Sequence, residues 1–387
     1  MKQKVSIFFP NHHLAYSPTT IHLYDALAPF FDVQIIAPYP SKFNNKELPG
    51  YQVNYFDDKA PSLGMKLWAL FLFVWYKLIQ YKRNGSYVYS YARLKDLLKY
   101  EHLFKKAHSN KESYGHIIAV DMIFLKLATK YFKQVHFVSL ELADELLPML
   151  ATIPDSKFGS VIIQSEDRYE YLFKGRNLRL FLVQNAPVFE PKTFHKTFRD
   201  GRILFNGTAS KFFGVFDFLN FLQAMGGKYR GLIKGNVSEE IRTEVNEKYG
   251  QLLSEGILEI DDSYTDSNEL LDYIGAFEMG ICFYNTDLIQ ENRFNYLTAP
   301  SGKMFNYLAA GVPVIGSNLP GLKLLESNSC GVLVEDYSAE SIEKAVLQIR
   351  DRYETYRINC EVAARKYSFD VMVKPFTDYL RTATNLV

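Results

Sequence analysis

Two doubly wound α/β domains are what this sequence predicts, and three observations predict them. Short apolar runs alternate with helix-patterned stretches along most of the chain, as parallel sheets covered on both faces require. That pattern stops over Asn185–Gly201 (NAPVFEPKTFHKTFRDG), where proline and charge accumulate, and then restarts. A chain of 387 residues with 48% hydrophobic and 22% charged residues also has apolar surface enough for two cores.

Taken in order, the first half places strands at Val5–Phe9, Val33–Ala37, Tyr87–Tyr91, His116–Val120, Val135–Leu140, Val161–Gln164 and Leu180–Val183. Ser17-Pro18-Thr19-Thr20 reads as the loop and cap of a helix over Ile21–Phe30. The second half places strands at Arg202–Phe205, Gly231–Lys234, Ile257–Ile260, Met279–Tyr284, Val312–Ile315 and Gly331–Val334, and a last helix at Asp370–Thr382. No internal sequence repeat accompanies this architectural echo.

The net charge of +1 hides an uneven distribution. Between Pro61 and Lys111, ten basic residues (Lys66, Lys77, Lys82, Arg83, Arg93, Lys95, Lys99, Lys105, Lys106, Lys111) face two acids, Asp96 and Glu101. Inside this region runs Leu67–Tyr76, LWALFLFVWY, too short to span a bilayer, since spanning takes ~20 apolar residues. Two readings stay open: a helix packed in the core, or an interfacial helix whose Trp68, Trp75, Tyr76 and Tyr81 sit at the headgroup level of an anionic membrane. No nucleic-acid-binding motif accompanies the charge, so nucleic acid is not an expected partner. Cys282, Cys330 and Cys360 are far apart and form neither a disulfide framework nor a zinc motif. With an N-terminus whose first apolar run is too short for a signal peptide, they predict a cytoplasmic protein.

In doubly wound sheets ligands sit beyond the C-terminal strand ends. The most informative stretch there is Pro300–Ile315, PSGKMFNYLAAGVPVI. Ser301 reads as an N-cap, with Gly302 and Lys303 opening a helix whose N–H groups and dipole suit an anion such as a diphosphate. A lysine in a first turn opposes the helix dipole, so Lys303 is better explained by an anionic ligand than by helix stability. Asn306 lies one turn further on the same side, Phe305, Leu308 and Ala309 face the core, and Gly311 ends the helix. An ordinary helix-turn-strand junction is the alternative.

Lys303, Tyr307, Ala309, Gly311, Pro313, Val314, Gly321 and Gly331-Val332-Leu333-Val334 together resemble the donor-site signature of glycosyltransferase family 4, of the GT-B fold. The family's paired glutamates are replaced here by Thr298 and Asn306, and an asparagine can still hydrogen-bond a ribose diol. The resemblance implies two Rossmann-like domains facing across a cleft: 1–190 on the acceptor side, a linker over 191–201, a nucleotide-sugar domain over 202–365, and a helix over 366–387 that crosses back. It implies a donor site drawn from Gly207, Thr208, Lys211 and Lys234 (standing in for the family's basic clamp, or mere surface lysines), Tyr284, Asn285, Ser301, Gly302, Lys303 and Asn306. Glu278 stands at a place whose role in the family is structural. Asp121, after HIIAV, and Glu141, in a segment similar to the family's "H-E-L", are the implied catalytic acids; either residue type is also a common helix cap.

The function so implied is transfer of a sugar from a nucleoside diphosphate sugar to a glycan or lipid-linked acceptor, with retention of configuration and without a metal. No cofactor is implied, no Asp-x-Asp triplet occurs, and Asp261-Asp262 is only an acidic pair. Location is expected at the inner face of the cell membrane. Two rivals remain, a nucleotide-sugar epimerase of the same fold and a non-catalytic partner subunit.

Overall fold

Continuous apolar runs such as Ile117–Val120 and Met279–Cys282 have no polar face to present to water, so they are stable only as central strands buried on both sides. The computed structural model describes residues 2–40, 48–57, 62–81, 91–189, 201–263, 265, 267–289 and 293–383, and in it these runs are central strands. The described chain divides into two compact units, Met1–Val183 with Met372–Val387, and Gln184–Val371.

The first unit contains β1 (Lys4–Phe8), α1 (Pro18–Leu27), β2 (Asp32–Pro38), β3 (Val53–Phe56), α2 (Leu63–Tyr81), α3 (Tyr91–Ser109), β4 (His116–Val120), α4 (Met122–Tyr131), β5 (Val135–Val138), α5 (Leu147–Ala151), β6 (Phe158–Ile163), α6 (Glu166–Phe173) and β7 (Leu180–Leu182). Its seven strands are ordered β3-β2-β1-β4-β5-β6-β7, every pair parallel. The chain order reverses between β1 and β4, and Asp121 lies just past the end of β4.

The second unit contains β8 (Arg202–Asn206), α7 (Val215–Ala224), β9 (Arg230–Lys234), α8 (Glu239–Ser254), β10 (Leu258–Asp261), α9 (Ser267–Gly275), β11 (Met279–Cys282), α10 (Arg293–Thr298), α11 (Gly302–Ala309), β12 (Val314–Ser317), α12 (Leu324–Ser327), β13 (Gly331–Val334), α13 (Ala339–Asp351) and α14 (Tyr353–Tyr367). Its sheet is parallel throughout, ordered β10-β9-β8-β11-β12-β13. One apolar layer of this unit packs Phe218, Phe221 and Leu222 of α7 against Ile342, Val346 and Ile349 of α13; the opposite layer packs α11 against Cys360, Ala363 and Ala364 of α14. The last helix, α15 (Phe369–Thr382), begins in the second unit and ends in the first, where Phe376 and Tyr379 pack against His136.

The strand expected over Tyr87–Tyr91 is not found: residues 87–90 lie outside the described residues, as do Lys82, Arg83 and residues 191–200 of the expected linker, and Tyr91 opens α3. The first helix starts at Pro18, three residues before Ile21, since proline is pre-organised for a first helical position. The apolar run Leu67–Tyr76 lies within α2, and its face is exposed. Trp68, Phe71 and Trp75 are each about half exposed and stack in sequence, with centroids 5.3 and 6.0 Å apart. Ala69 is buried, and α2 packs on α3. No helix among the described residues is long and apolar enough to cross a membrane.

Candidate functional site

In the second unit, β8 and β9 end beside one another, and each is followed by a glycine with a positive φ. Gly207 has φ +109°, and a Cβ there would meet Lys303 Cε at 2.8 Å. Gly235 has φ +131°, and a Cβ there would meet the Gly207 carbonyl oxygen at 2.4 Å. Both glycines are therefore required by backbone conformation, and Gly235 also by close approach of backbone. Across this turn α11 points its N-terminus. Tyr307 of α11 fixes that placement from inside the core: its hydroxyl donates to Leu204 O and accepts from Asn206 N–H, both at 2.8 Å.

Ser301 occupies the N-cap position of α11, buried, but its side chain caps nothing. The Gly302 and Lys303 amides thus remain open to an outside acceptor. Lys303 lies over the Phe213 ring, Nζ to centroid 3.9 Å, and 5.1 Å from Phe205. Among the described residues no carboxylate pairs with it, and burial pushes its ammonium down to about 8. Asn306 is part-buried one turn on, its amide without a partner among the described residues. Gly302 packs on Asn185, which a Cβ would approach to 3.2 Å.

Two of the basic residues expected to share this seat turn away from it. Lys234, 3% exposed, donates to Ser263 O (2.8 Å) and Ser263 Oγ (2.9 Å) and pairs with Asp261 (2.9 Å), which uses all three of its N–H bonds. Against the upward push of burial, hydrogen bonds from Ser263, Lys234 and Tyr273 hold the Asp261 carboxyl well below its ordinary value. Lys211 pairs with Glu244 at 2.9 Å. Lys211 and Lys234, expected to form a basic clamp, are both engaged in ion pairs within the domain. Thr208 is exposed. Tyr284 is pinned by its backbone, its N–H to Ser317 Oγ and its carbonyl to the Tyr337 hydroxyl, while Asn285 N–H bonds Phe212 O. Glu278 makes a two-pronged pair with Arg350 at 2.8 and 2.7 Å, at the start of β11 and so at the opposite end from the C-terminal strand ends. Reading the sequence missed Phe213 and Gly235. A lysine-glycine pair ending a strand, as in Lys234-Gly235, was the available signal.

In the first unit Asp121 has φ 62° and ψ 161°, a region almost reserved for glycine, at a cost of about 1–3 kcal/mol for other residues. It precedes α4 yet caps nothing, its Oδ1 is buried without a partner, and burial beside Glu141 raises its carboxyl to about 7. The Leu140 and Glu141 amides face that carboxyl. Gln164 and the buried Arg168 both donate to Leu140 O, at 3.1 Å each, which locks the segment carrying Glu141. Glu141 itself is exposed. Strain, burial and a like-charged neighbour at a strand end mark a functional group more often than a structural one. Among the described residues no group of three or more His, Cys, Asp or Glu is placed to hold a metal ion.

No family model and no curated relative matches this chain. Solved structures do. The Anabaena HepE protein in complex with UDP aligns with TM-score 0.66 and 13% identity over 98% of this chain and all of that one. A sucrose-phosphate synthase from Thermosynechococcus elongatus aligns with TM-score 0.64 and 14% identity over 98% and 97% of the two chains. A glycosyltransferase from Rickettsia africae aligns with TM-score 0.65 and 12% identity over 99% and 100%. The fold is therefore GT-B, two Rossmann-like α/β domains in one chain.

Proposed function

We propose that the chain is a glycosyltransferase, related to family 4, that moves a sugar from a nucleoside diphosphate sugar to a glycan or lipid-linked acceptor in cell-surface polysaccharide or glycoconjugate synthesis. The observation that carries this reading is Lys303, a part-buried ammonium with no counter-ion among the described residues, set at an uncapped helix N-terminus against two glycine turns. Such a seat is incomplete until an anion fills it. A departing diphosphate develops charge there, and preorganised donors stabilise it without reorganising at the moment of reaction. That HepE was solved with UDP, and that the Rickettsia africae protein is named a glycosyltransferase, favours a nucleoside diphosphate as the occupant. Asn306 takes the ribose hydroxyls, and Tyr284 and Asn285 the sugar side of the donor. Asp121 is the catalytic acid on the first unit, able near neutral pH to donate a hydrogen bond to a sugar hydroxyl or to accept its proton; Glu141 polarises it.

The chain works at the inner face of the cell membrane, resting on anionic lipid through the exposed aromatic ridge of α2 and the basic residues around it. A thermal-shift screen of nucleoside diphosphate sugars followed by product analysis tests the activity. One donor should stabilise and turn over, and Lys303→Ala should weaken its binding ~10-fold or more, from loss of a charge-assisted contact of roughly 1.5–3 kcal/mol. No stabilisation by any such sugar would sink the reading. Sedimentation with vesicles tests the docking: recovery should need anionic lipid and fall as salt rises, because the surface potential decays within a Debye length of ~8 Å.

A further inference from the structure

Between α2, α3, α4 and the segment Thr152–Lys157 lies a cavity of about 440 Å³, within the range of ~300–1,000 Å³ usual for ligand pockets. Its apolar wall is Leu72, Leu94, Leu97, Leu98, Leu127 and Ile153. Every acid at its edge is accounted for, since Glu101 pairs with Lys130 and accepts from the Tyr131 hydroxyl. The lysines are not. Lys126 spends one N–H on Thr152 Oγ1 (2.9 Å) and Lys157 one on Phe132 O (2.9 Å), and neither meets a carboxylate among the described residues. A hydrocarbon-lined space with two uncompensated ammonium groups at its edge suits an amphiphile with an acidic head. Leu72 also connects the cavity to the outside. It lies four residues after Trp68 and three before Trp75, hence beside both on the surface of α2, so the exposed ridge adjoins the cavity wall along one helix.

We propose that this cavity holds the hydrocarbon chain of one anionic lipid, taken from the bilayer on which α2 rests, with its phosphate or carboxylate head at Lys126 and Lys157. The inference rests on the membrane reading for the route by which the chain arrives. Burial lowers the Lys126 ammonium, and an anionic head would offset that effect.

The test is calorimetric titration of the full chain with dodecyl phosphate below its micelle threshold, with dodecyl maltoside as the neutral chain and inorganic phosphate as the head alone. Saturable binding of one dodecyl phosphate is expected, with the neutral probe at least tenfold weaker and phosphate alone silent. Leu98→Trp should fill the cavity and abolish binding. Lys126→Ala, at the rim and tolerant of folding, should reduce the anionic probe to the level of the neutral one. Trp68→Ser with Trp75→Ser should remove vesicle docking and leave dodecyl phosphate binding intact, which separates the two claims. No saturable binding by the wild-type chain, equal binding of both chain probes, or a dimer that buries Trp68 and Trp75 would each overturn the assignment. A chain that takes dodecyl phosphate yet ignores vesicles would keep the cavity and refute the docking.

Discussion

At a strand end of each unit stands one charge with no counter-ion among the described residues, and the two are opposite in sign. The first unit places the Asp121 carboxyl past β4, strained and beside a second acid; the second places the Lys303 ammonium past β8, against aromatic rings. Lys234 shows how the same fold treats a lysine kept for stability. It sits at the end of the neighbouring strand, more deeply buried than Lys303, with every N–H bonded and Asp261 alongside. On the function proposed above, the difference separates structural charges, which the fold satisfies itself, from those it leaves for a ligand to satisfy.

The comparison breaks most sharply at the two lysines. Lys234→Met should destabilise the second unit by about 3 kcal/mol, because removing one partner strands the other charge. Lys303→Met should do the reverse in the free protein. With its ammonium lowered from 10.5 to about 8, Lys303 contributes stability that is present above 10.5 and lost as pH falls through 8, so at pH 7 its charge is a net cost. Denaturant unfolding at pH 7 and pH 9.5 measures both effects. The wild-type chain should gain stability relative to Lys303→Met as pH rises, and a Lys303→Met protein no more stable than wild type at pH 7 would remove the contrast.

Asp121 gives the mirror-image prediction. A carboxyl raised from 3.8 to about 7 contributes stability that is complete below 3.8 and is lost as pH rises to 7, an effect on the order of 2–4 kcal/mol. Asp121→Asn keeps the shape and removes the titration, so its unfolding free energy should exceed that of wild type at pH 8 and converge with it at pH 4. Glu141→Gln should lower the Asp121 midpoint, since burial is the larger cause of the shift and Glu141 the second. The buried histidines run the other way in both proteins. Burial lowers His116, and lowers His136 to about 3, so both contributions are lost as pH falls below 6.5, and only the difference between variant and wild type isolates Asp121.

How much of this was legible in the sequence depends on how local the cause is. The buried strands were legible because burial on both faces leaves an uninterrupted apolar run, as in the central His116–Val120 and even in the edge strand Gly331–Val334, whose bounds coincide with those expected. β3 was not, since Val53-Asn54-Tyr55-Phe56 is a half-exposed edge strand with a polar residue inside it. Lys303 stood out because a cation in a first helical turn opposes the dipole, a conflict visible within a few residues. The fates of Lys211 and Lys234 were hidden because Glu244, Asp261 and Ser263, which divert them, belong to other elements. Asp121 looked like a cap because aspartate before a helix usually is one, and only its dihedral angles distinguish it.

The smallest effect is expected at Asn306, where the open charge of Lys303 meets a residue that is neutral. Asn306 lies three residues after Lys303, on the same face of α11, with an amide free to bond a hydroxyl pair. Asn306→Ala should weaken nucleoside diphosphate binding by several-fold, in line with a neutral hydrogen bond of about 0.5–1.5 kcal/mol, and should leave inorganic pyrophosphate binding unchanged because that ligand has no ribose. Asn306→Glu offers two acceptors to a diol but also places a carboxylate one turn from the only ammonium in the seat. If the ribose takes the carboxylate, nucleotide affinity is kept or improved while pyrophosphate affinity falls. If the carboxylate pairs with Lys303 instead, both ligands weaken together and the Lys303 ammonium rises toward its ordinary value. Calorimetry with the two ligands separates these outcomes. Affinities equal to the parent's for both variants and both ligands would show that nothing at Asn306 touches the nucleotide.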